Sequence, residues 1–418
     1  MLLTVSCSPY KYETVKGDLL ETKIYTLDNG LKVYMSVNEE APRVKANIAV
    51  KVGGKNDPSE TTGLAHYFEH LMFKGTEQFG TSDYAAEKPL LDQIEALFEV
   101  YRTTTDEAER AALYHKIDSI SYLASDYFIP NEYDKLMSFL GSEGTNAFTS
   151  TDMTVYVEDI PSNQIENWAK IQADRFSNAV IRGFHTELET VYEEKNMSLT
   201  KDFQKALATI DGILFPDHPY GTQTVLGTQE HLKNPSIINI KNYYKKYYVP
   251  NNMAICVSGD FDPDKAIKVI EKYFGKLQSS PLTPFEFTYE PEQTNIKEVE
   301  VKGVEAPYIT IAYRINAGST SREALLAEMI DWVLNNGSTG LIDKNVNQKY
   351  LVARANSGTY GLNDYTGFLL QAYPKAGQSL EEAKEIMLQQ IDILKKGNWD
   401  EGILQAAINN MQLQEIKA

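Results

Sequence analysis

The stretch His66-Tyr67-Phe68-Glu69-His70 carries two histidines and a glutamate in a chain that has only six histidines among 418 residues. In a helix, His66 and His70 stand one turn apart on one face, which is the reach that two nitrogen ligands of one Zn²⁺ need. Glu69 lies beside them, where its carboxylate can take a proton from an attacking water molecule. The alternative is a surface helix that carries these residues by coincidence, which the rarity of histidine disfavours. The stretch therefore predicts the metal helix of a zinc hydrolase.

The residues in front of this helix predict a rigid support for it. A strand with apolar residues at alternate positions comes first, formed by Val44, Ala46, Ile48, Val50 and Val52. Two glycines and a polar loop follow, and Thr62 is the predicted N-cap of the helix. We therefore expect His66 and His70 to lie on a helix that is held against a sheet.

The order of the motif letters distinguishes it from the commoner zinc signature. H-x-x-E-H is the reverse of H-E-x-x-H and is the inverzincin pattern. Together with its flanks from Gly63 to Thr76, it resembles the M16 family of metallopeptidases, the group of pitrilysin, insulin-degrading enzyme and mitochondrial processing peptidase. Three later stretches extend the resemblance over most of the chain, namely Thr145-Asn146-Ala147-Phe148-Thr149, His218-Pro219-Tyr220-Gly221 and residues 247–260. The resemblance implies a zinc metalloendopeptidase with one Zn²⁺ per chain.

The resemblance also implies the fold, an α+β architecture of two homologous mixed α/β domains, each with an antiparallel-rich sheet and helices packed on it. We expect a tail over residues 1–17, a catalytic domain over 18–277, a proline-containing linker over 278–294 and a second, shorter domain over 295–418. In the second domain, the pattern predicts strands at 308–313 and 368–373 and helices at 321–334 and 379–396.

A catalytic zinc usually keeps three protein ligands and one open position, so the histidine pair needs a third partner. The family takes it from a glutamate in an E-x6-E pattern, which matches Glu187 and Glu194. This spacing puts both carboxylates on one helix face about 10 Å apart, so that one can ligate while the other stays outside. The resemblance implies Glu194 as the ligand and Glu187 as an accessory catalytic acid. Glu193, about 100° around the helix, is the competing candidate.

The spacing from His70 to Glu194 is longer than the family norm, and the excess lies before Asn146. The extra segment, at about 83–131, carries two apolar stripes at helical spacing, formed by Leu91, Ile94, Phe98 and Tyr101 and by Leu113, Ile117, Ile120 and Tyr127. We interpret it as a helical hairpin inserted beside the catalytic residues. A stabilising role is favoured over a role in substrate gating.

Asn146, Ala147 and Phe148 form the expected substrate-binding strand. An extended peptide can add a strand to an open sheet edge, where main-chain hydrogen bonds supply affinity that tolerates many sequences. Asn146 could also hold a substrate carbonyl. The family resemblance assigns this role to the stretch, and peptides or unfolded polypeptides are the expected substrates.

The second domain lacks a pair of residues that active members of the family carry. Their Arg and Tyr, seven positions apart, stabilise the tetrahedral oxyanion, whereas the best-matching stretch here has Asn347 and Arg354. The resemblance therefore implies an N-terminal, metal-bearing half, with a C-terminal half or partner subunit that supplies the Arg and Tyr. Two alternatives remain: a non-catalytic subunit that binds peptides or scaffolds an active partner, and a metal-binding hydrolase of another substrate class.

The composition of the chain disfavours or excludes several kinds of partner and site. The net charge of −18 disfavours a nucleic-acid partner, and no apolar run reaches the roughly 18 residues of a transmembrane segment. With Cys7 and Cys256 as the only cysteines, a disulfide scaffold and a cysteine-rich metal site are excluded.

The run from Met1 to Cys7 resembles the end of an export signal with a lipoprotein-type cysteine. We expect export to a bacterial periplasm or envelope, with a cytoplasmic location as the alternative.

Overall fold

The computed structural model describes residues 10–417, so Cys7 and the rest of the expected export signal lie outside the described residues. The chain divides into two compact units. One contains the described residues up to Ser198 together with Gln223–Glu286, and the other contains Leu199–Thr222 together with the described residues from Phe287 onward. The segment Leu199–Thr222, which lies within the range 18–277 expected for the first domain, is thus part of the second unit.

The first unit is built on a mixed sheet of seven strands. These strands are β1 (Tyr12–Glu13), β2 (Lys23–Thr26), β3 (Lys32–Val37), β4 (Arg43–Val50), β5 (Glu143–Thr149), β6 (Thr154–Pro161) and β7 (Met253–Gly259). Their order is β1-β2-β3-β7-β4-β6-β5, and every neighbouring pair is antiparallel except β3 with β7. This order leaves β5 at one edge of the sheet.

The helices of the two units follow the chain in this order: α1 (Leu64–Leu71), α2 (Tyr84–Thr103), α3 (Glu107–Ser125), α4 (Glu132–Leu140), α5 (Ile165–Ser177), α6 (Phe184–Leu199), α7 (Asp202–Leu214), α8 (Pro219–Thr222), α9 (Gln229–Lys233), α10 (Ile237–Tyr247), α11 (Pro263–Phe274), α12 (Arg322–Leu334), α13 (Leu380–Lys396) and α14 (Gly402–Lys417). None of these helices is both long enough and apolar enough to cross a bilayer, as far as residues 10–417 show. Helix α1 contacts β5 and β6. The predicted metal helix therefore lies next to the open edge of the sheet.

The core of the first unit follows the patterns in the sequence. Val44, Ala46, Ile48 and Val50 are all buried on one face of β4, as their alternation predicts. Helices α2 and α3 occupy the segment at 83–131, and the residues at the centre of each apolar stripe are buried, namely Ile94, Phe98, Ile117 and Ile120. Asp106 caps α3 by accepting a hydrogen bond from the Glu109 amide.

The second unit contains an antiparallel sheet of three strands in the order β8-β10-β9. These strands are β8 (Ile309–Ile315), β9 (Arg354–Gly361) and β10 (Thr366–Tyr373). Helices α12, α13 and α14 belong to the same unit, as do α7 and α8. His218 Nε2 lies 3.3 Å from Asp364 Oδ2, to which the Tyr220 hydroxyl donates at 3.1 Å. These contacts fix the stretch that contains α8 to the turn between β9 and β10. The α+β fold expected from the sequence is confirmed.

The first amides of helix α1 are capped by the buried side chain of Asp57, not by Thr62 as predicted. The N-cap residue of α1 is Gly63, whose φ of 88° favours glycine, and a Cβ there would lie 2.9 Å from the Leu226 carbonyl oxygen. Asp57 accepts hydrogen bonds from the amides of Gly63, Leu64 and Ala65 at 2.7, 3.1 and 2.9 Å. Thr62 instead contacts a ring nitrogen of a histidine on α9 through its hydroxyl. The prediction of Thr62 as the cap was wrong, because a more distant side chain satisfies the first amides of the helix.

We expect Asp57→Ala to lower the free energy of unfolding of the first unit by about 1–3 kcal/mol, because three amides at a buried helix start lose their acceptor. Asp57→Asn keeps an acceptor oxygen at the same place and should cost less. Urea denaturation of the parent and both variants measures the difference. Equal stability of Asp57→Ala and the parent would contradict this capping role.

Candidate metal centre

Three side-chain atoms from α1 and α6 lie close together in the first unit. His66 Nε2 is 3.3 Å from His70 Nε2, and Glu194 Oε2 is 3.5 Å from each of them. Within residues 10–417, this is the one group of His, Cys, Asp and Glu side chains that could hold a metal ion. The structure thus brings together the three residues that the sequence analysis selected as ligands.

The spacing of these atoms fits a zinc ion. A tetrahedral ion with bonds of about 2.0–2.2 Å separates its ligand atoms by roughly 3.3–3.5 Å, which matches the three distances. Burial, with the neighbouring His70, lowers the pKa of His66 to about 4. The His66 imidazole is therefore neutral near pH 7 and can offer a nitrogen lone pair.

The other glutamates of α6 point away from this cluster. Glu193 is exposed, and its Oε1 accepts a hydrogen bond from Asn196 at 3.4 Å. Glu189 is also exposed, and its Oε1 lies 3.9 Å from His185 Nε2. The geometry therefore favours Glu194 over Glu193 as the third ligand.

Glu187 lies behind His70, on the side away from the cluster. Its Oε1 is 2.7 Å from His70 Nδ1, and its Oε2 forms an ion pair with Lys74 Nζ. Burial disfavours the ionised form of Glu187, but the hydrogen bonds from His70 and Lys74 outweigh it and lower the Glu187 pKa. A carboxylate in this place holds the proton on His70 Nδ1 and leaves Nε2 free for a metal. This position suits a residue that orients a ligand.

The surrounding carboxylates change the pKa of His70. Its burial opposes a charged imidazole, but the hydrogen bond that Nδ1 donates to Glu187 and the negative charges of Glu194, Glu187 and Glu69 outweigh that effect and raise the His70 pKa. The surrounding carboxylates therefore favour a proton on this ring more than water does. A bound metal ion would displace that proton, because the ligating imidazole must be neutral.

Glu69 is the buried carboxylate beside the cluster, with 7% of its surface exposed. Its Oε2 accepts a hydrogen bond of 2.7 Å from the Thr149 hydroxyl. Burial has the largest effect on the Glu69 pKa and raises it, Glu194 adds to this rise, and Thr149 and His70 act against it. A carboxylate whose pKa is moved toward neutrality is a better proton acceptor for chemistry near pH 7.

The expected substrate strand is the edge strand β5. Its residues Asn146, Ala147 and Phe148 pair with β6, and no described strand lies on its other side. Asn146 and Phe148 are exposed, whereas Ala147 packs against the core. The outer main-chain groups of β5 are therefore placed where an extended chain could pair with them.

The two residues predicted to stand at the positions of the family's Arg and Tyr have other partners in the second unit. The Asn347 side chain donates to the Ala355 carbonyl at 2.8 Å and accepts from the Ala355 amide at 2.9 Å. The Arg354 guanidinium lies 4.5 Å from the centre of the Tyr373 ring. Asn347 thus holds the start of β9.

The helical hairpin of α2 and α3 borders a cavity of about 730 Å³ that also reaches the start of α6. Leu91 and Tyr122 line it from the hairpin, and Phe184 and His185 line it from α6. The lining does not include His66, His70 or Glu194. The cavity is therefore distinct from the cluster of His66, His70 and Glu194.

We expect Glu194→Ala to weaken zinc binding by more than about 100-fold, because loss of a residue that merely supports a ligand already costs about 10–100-fold. The domain should stay folded, since the Glu194 side chain is 41% exposed. Glu193→Ala is the matched control and should bind zinc like the parent. Competition with a metal indicator measures the affinities, and circular dichroism checks the fold. An unchanged affinity in Glu194→Ala would move the ligand to Glu193 or Glu189.

Sequence comparison finds two profiles of one family in the chain. Residues 32–91 match a profile described as insulinase (peptidase family M16), and this range contains His66, Glu69 and His70. Residues 238–411 match a profile described as peptidase M16 inactive domain, and this range contains Asn347 and Arg354.

Two relatives of the chain are described as a protease and a peptidase. The zinc protease PqqE of Helicobacter pylori is 21% identical over 398 residues, which cover 93% of this chain and 77% of that protein. The probable mitochondrial-processing peptidase subunit beta of Arabidopsis thaliana is 23% identical over 319 residues, which cover 74% of this chain and 49% of that protein. The chain therefore spans about half the length of the second relative.

Two solved structures share the fold. A protease from Helicobacter pylori superimposes with a TM-score of 0.75 and 21% identity over 95% of this chain and 85% of that one. The first half of the periplasmic protease PqqL from Escherichia coli gives a TM-score of 0.68 and 15% identity over 97% of this chain and 78% of that one. The family resemblance carried by the H-x-x-E-H stretch is thereby confirmed, and the chain belongs to the M16 (insulinase) family of peptidases.

Proposed function

We propose that this chain is a zinc-dependent endopeptidase that hydrolyses peptides or unfolded polypeptides. The observation that carries the proposal is the buried Glu69 carboxylate beside His66, His70 and Glu194, whose ligand atoms are spaced for one zinc ion. Membership of the M16 family and the zinc protease among the relatives support the same conclusion.

The catalytic steps are assigned to residues of α1, α6 and β5. When bound, zinc supplies a Lewis acid that polarises the scissile carbonyl and makes a water molecule more acidic. Glu69 takes a proton from the attacking water and then donates it to the nitrogen of the leaving amine as the C–N bond breaks. Glu187 orients His70 through its contact with Nδ1, so that the Nε2 atom would be available to the metal.

We place the substrate on the open edge of β5. The peptide adds as an extra strand, so its main chain pairs with β5 and few of its side chains need to be recognised. Asn146 is exposed on this strand and can donate to a substrate carbonyl. Because α1 contacts β5, a peptide bound there runs past the metal helix.

We further propose that the chain works with a second M16 half that supplies an Arg and a Tyr as oxyanion donors. Asn347 and Arg354 stand at the corresponding positions of this chain, in the range that matches the inactive-domain profile. The matched region covers only 49% of the Arabidopsis relative, and the similar PqqL structure is described as a first half. As part of this proposal, the catalytic domain covers residues 18–277, the linker covers 278–294 and the second domain covers 295–418.

The proposed location is a bacterial periplasm or envelope. The residues from Met1 to Cys7 resemble the end of an export signal, and the similar PqqL structure is that of a periplasmic protease. Fractionation of the producing cells tests the location. Recovery of the full chain from the cytoplasm alone would favour the cytoplasmic alternative.

A non-catalytic subunit is the second candidate function. The inactive-domain match and the residues at positions 347 and 354 favour it, whereas the intact set of Glu69 and three candidate ligands disfavours it. The deciding experiment incubates the zinc-loaded chain with a quenched fluorescent peptide library, with a chelator, and with zinc restored after chelation. Cleavage that disappears with the chelator and returns with zinc supports the peptidase. Peptide binding without cleavage, even with a complementary M16 half present, would support the non-catalytic subunit.

A further inference from the structure

We propose that Thr149 is a positioning residue that fixes the catalytic carboxylate of Glu69 and ties its orientation to the substrate strand. This inference rests on the proposed peptidase function. The sequence predicts no chemical role for Thr149 beyond its place in the stretch from Thr145 to Thr149 that resembles a substrate-binding strand, since 80 residues separate it from Glu69. Only the three-dimensional contact between the two side chains shows the connection.

The first observation is the pattern of hydrogen bonds at Glu69. The Thr149 hydroxyl donates to Oε2 at 2.7 Å, and it is the one hydrogen-bond donor to this carboxylate within residues 10–417. The last torsion of a glutamate side chain is soft, so a carboxylate without a fixed partner samples a broad range of orientations. The Thr149 contact removes this freedom and leaves Oε1 available to a water molecule.

The second observation is the rigid support of Thr149 itself. Thr149 pairs with Thr154 across the β5–β6 turn, and the fully buried Thr154 hydroxyl donates to the Val52 carbonyl at 3.0 Å. The amides of Gly54 and Lys55 donate to the Ser150 and Thr151 carbonyls at 3.0 Å each. The turn after Thr149 is thus held by the segment that leads into α1.

Close packing reinforces this support. A Cβ at Gly53 would lie 2.3 Å from the Ser150 carbonyl oxygen, so the two segments are in direct backbone contact. Lys55 Nζ lies 2.7 Å from Asp152 Oδ1, and both side chains are largely buried. A hydroxyl on such a rigid support can keep the Glu69 carboxylate in the position that a proton transfer needs.

The geometry connects the edge strand to the general base. Thr149 is the last residue of the strand whose residues Asn146, Ala147 and Phe148 we assign to substrate binding. Its side chain lies on the inward-facing side of β5, as Ala147 does, whereas Asn146 and Phe148 are exposed. The same strand therefore presents an open edge, where a peptide can pair, and a hydroxyl to the catalytic carboxylate. A shift of β5 would change the position of both.

The test compares Thr149→Val, which removes the hydroxyl at nearly constant volume, with Thr149→Ser, which keeps it. We expect Thr149→Val to lower kcat by about 10–100-fold, since small misplacement of a catalytic group can cost about 10²-fold. Its KM and zinc affinity should stay within about twofold of the parent values. Thr149→Ser should recover most of the lost kcat. Should Thr149→Val fail to fold, Thr149→Ala makes the same comparison without the branched side chain.

Thr190→Val is the matched control, because Thr190 is exposed on α6 and its hydroxyl donates to the Thr186 carbonyl of the same helix at 3.4 Å. It should leave kcat unchanged. Crystal structures of the parent, Thr149→Val and Thr149→Ser give a readout that does not depend on turnover. We expect the Glu69 carboxylate to leave its position in the valine variant and to keep it in the serine variant.

Two results would overturn the inference: an unmoved Glu69 carboxylate in Thr149→Val, or a serine variant as slow as the valine variant. Failure of the proposed function has a different signature. In that case the zinc-loaded parent cleaves no peptide even with its complementary half, while the crystallographic comparison still decides whether Thr149 positions Glu69.

Discussion

Glu69→Gln should abolish measurable peptide cleavage while zinc remains at about one ion per chain. The amide has the size of the carboxylate but cannot accept and return a proton, so the loss of general acid–base catalysis costs at least about 10²–10⁴-fold in kcat. His66, His70 and Glu194 are unchanged, and their atoms keep the spacing that fits zinc. Zinc content by mass spectrometry and kcat with a quenched peptide are the two measurements.

Glu187→Gln is the informative control for this prediction. The amide oxygen can still accept from His70 Nδ1, but the charge that pairs with Lys74 is lost. We expect weaker zinc binding, by about 10–100-fold, and a kcat that largely returns when zinc is saturating. Cleavage retained by Glu69→Gln would show that Glu69 is not the base. Complete inactivity of Glu187→Gln at full zinc occupancy would instead assign a catalytic proton to Glu187.

Local patterns were sufficient to predict the elements that carry the site. The spacing of His66 and His70 predicts a helix, and α1 spans both residues. The alternation along Val44–Val50 predicts the strand β4. In the second unit, the helices expected at 321–334 and 379–396 begin at Arg322 and Leu380, each capped by the serine just before it. Such features depend on neighbours a few residues apart, which is why the sequence alone is enough to predict them.

The features that the sequence could not predict depend on residues far apart in the chain. Asp57 reaches the first amides of α1 only because the preceding loop folds back on the helix. Thr149 reaches Glu69 only because the folded chain places the edge strand β5 beside helix α1. No periodicity encodes such contacts, since they are set by how the elements pack. The sequence is therefore enough to predict the candidate ligands, but not the groups that hold helix α1 and the Glu69 carboxylate in place.

The family pattern selected Glu194 where local reasoning could not. A helix with glutamates at 187, 189, 193 and 194 offers several carboxylates, and an acidic helix face is usually solvated surface. The structure separates them by position: Glu194 lies 3.5 Å from both imidazole nitrogens, Glu187 contacts the far side of His70, and Glu193 is exposed. The E-x6-E spacing thus marks two residues on one helix face that lie in different places, one at the cluster and one behind His70.

The second large effect is expected from adding a complementary M16 half or a partner subunit that carries an Arg-x6-Tyr pair. Preorganised oxyanion donors are typically worth about 10²–10³ each in kcat. In this chain, Asn347 holds the start of β9 and Arg354 lies over the Tyr373 ring, so both positions have structural partners. We therefore expect the chain alone to bind zinc and peptides but to cleave slowly.

The comparison is the turnover of the chain alone against the chain with its complementary half, at matched zinc occupancy. We expect a gain of orders of magnitude from the intact half. A half in which the Arg and Tyr are replaced by Ala and Phe should give a much smaller gain. That control separates the oxyanion donors from the second effect expected of a partner, which is to enclose the substrate and exclude water from the site. Full activity of the isolated chain would contradict the prediction, and the oxyanion donor would then have to be Arg354 or a backbone amide of this chain.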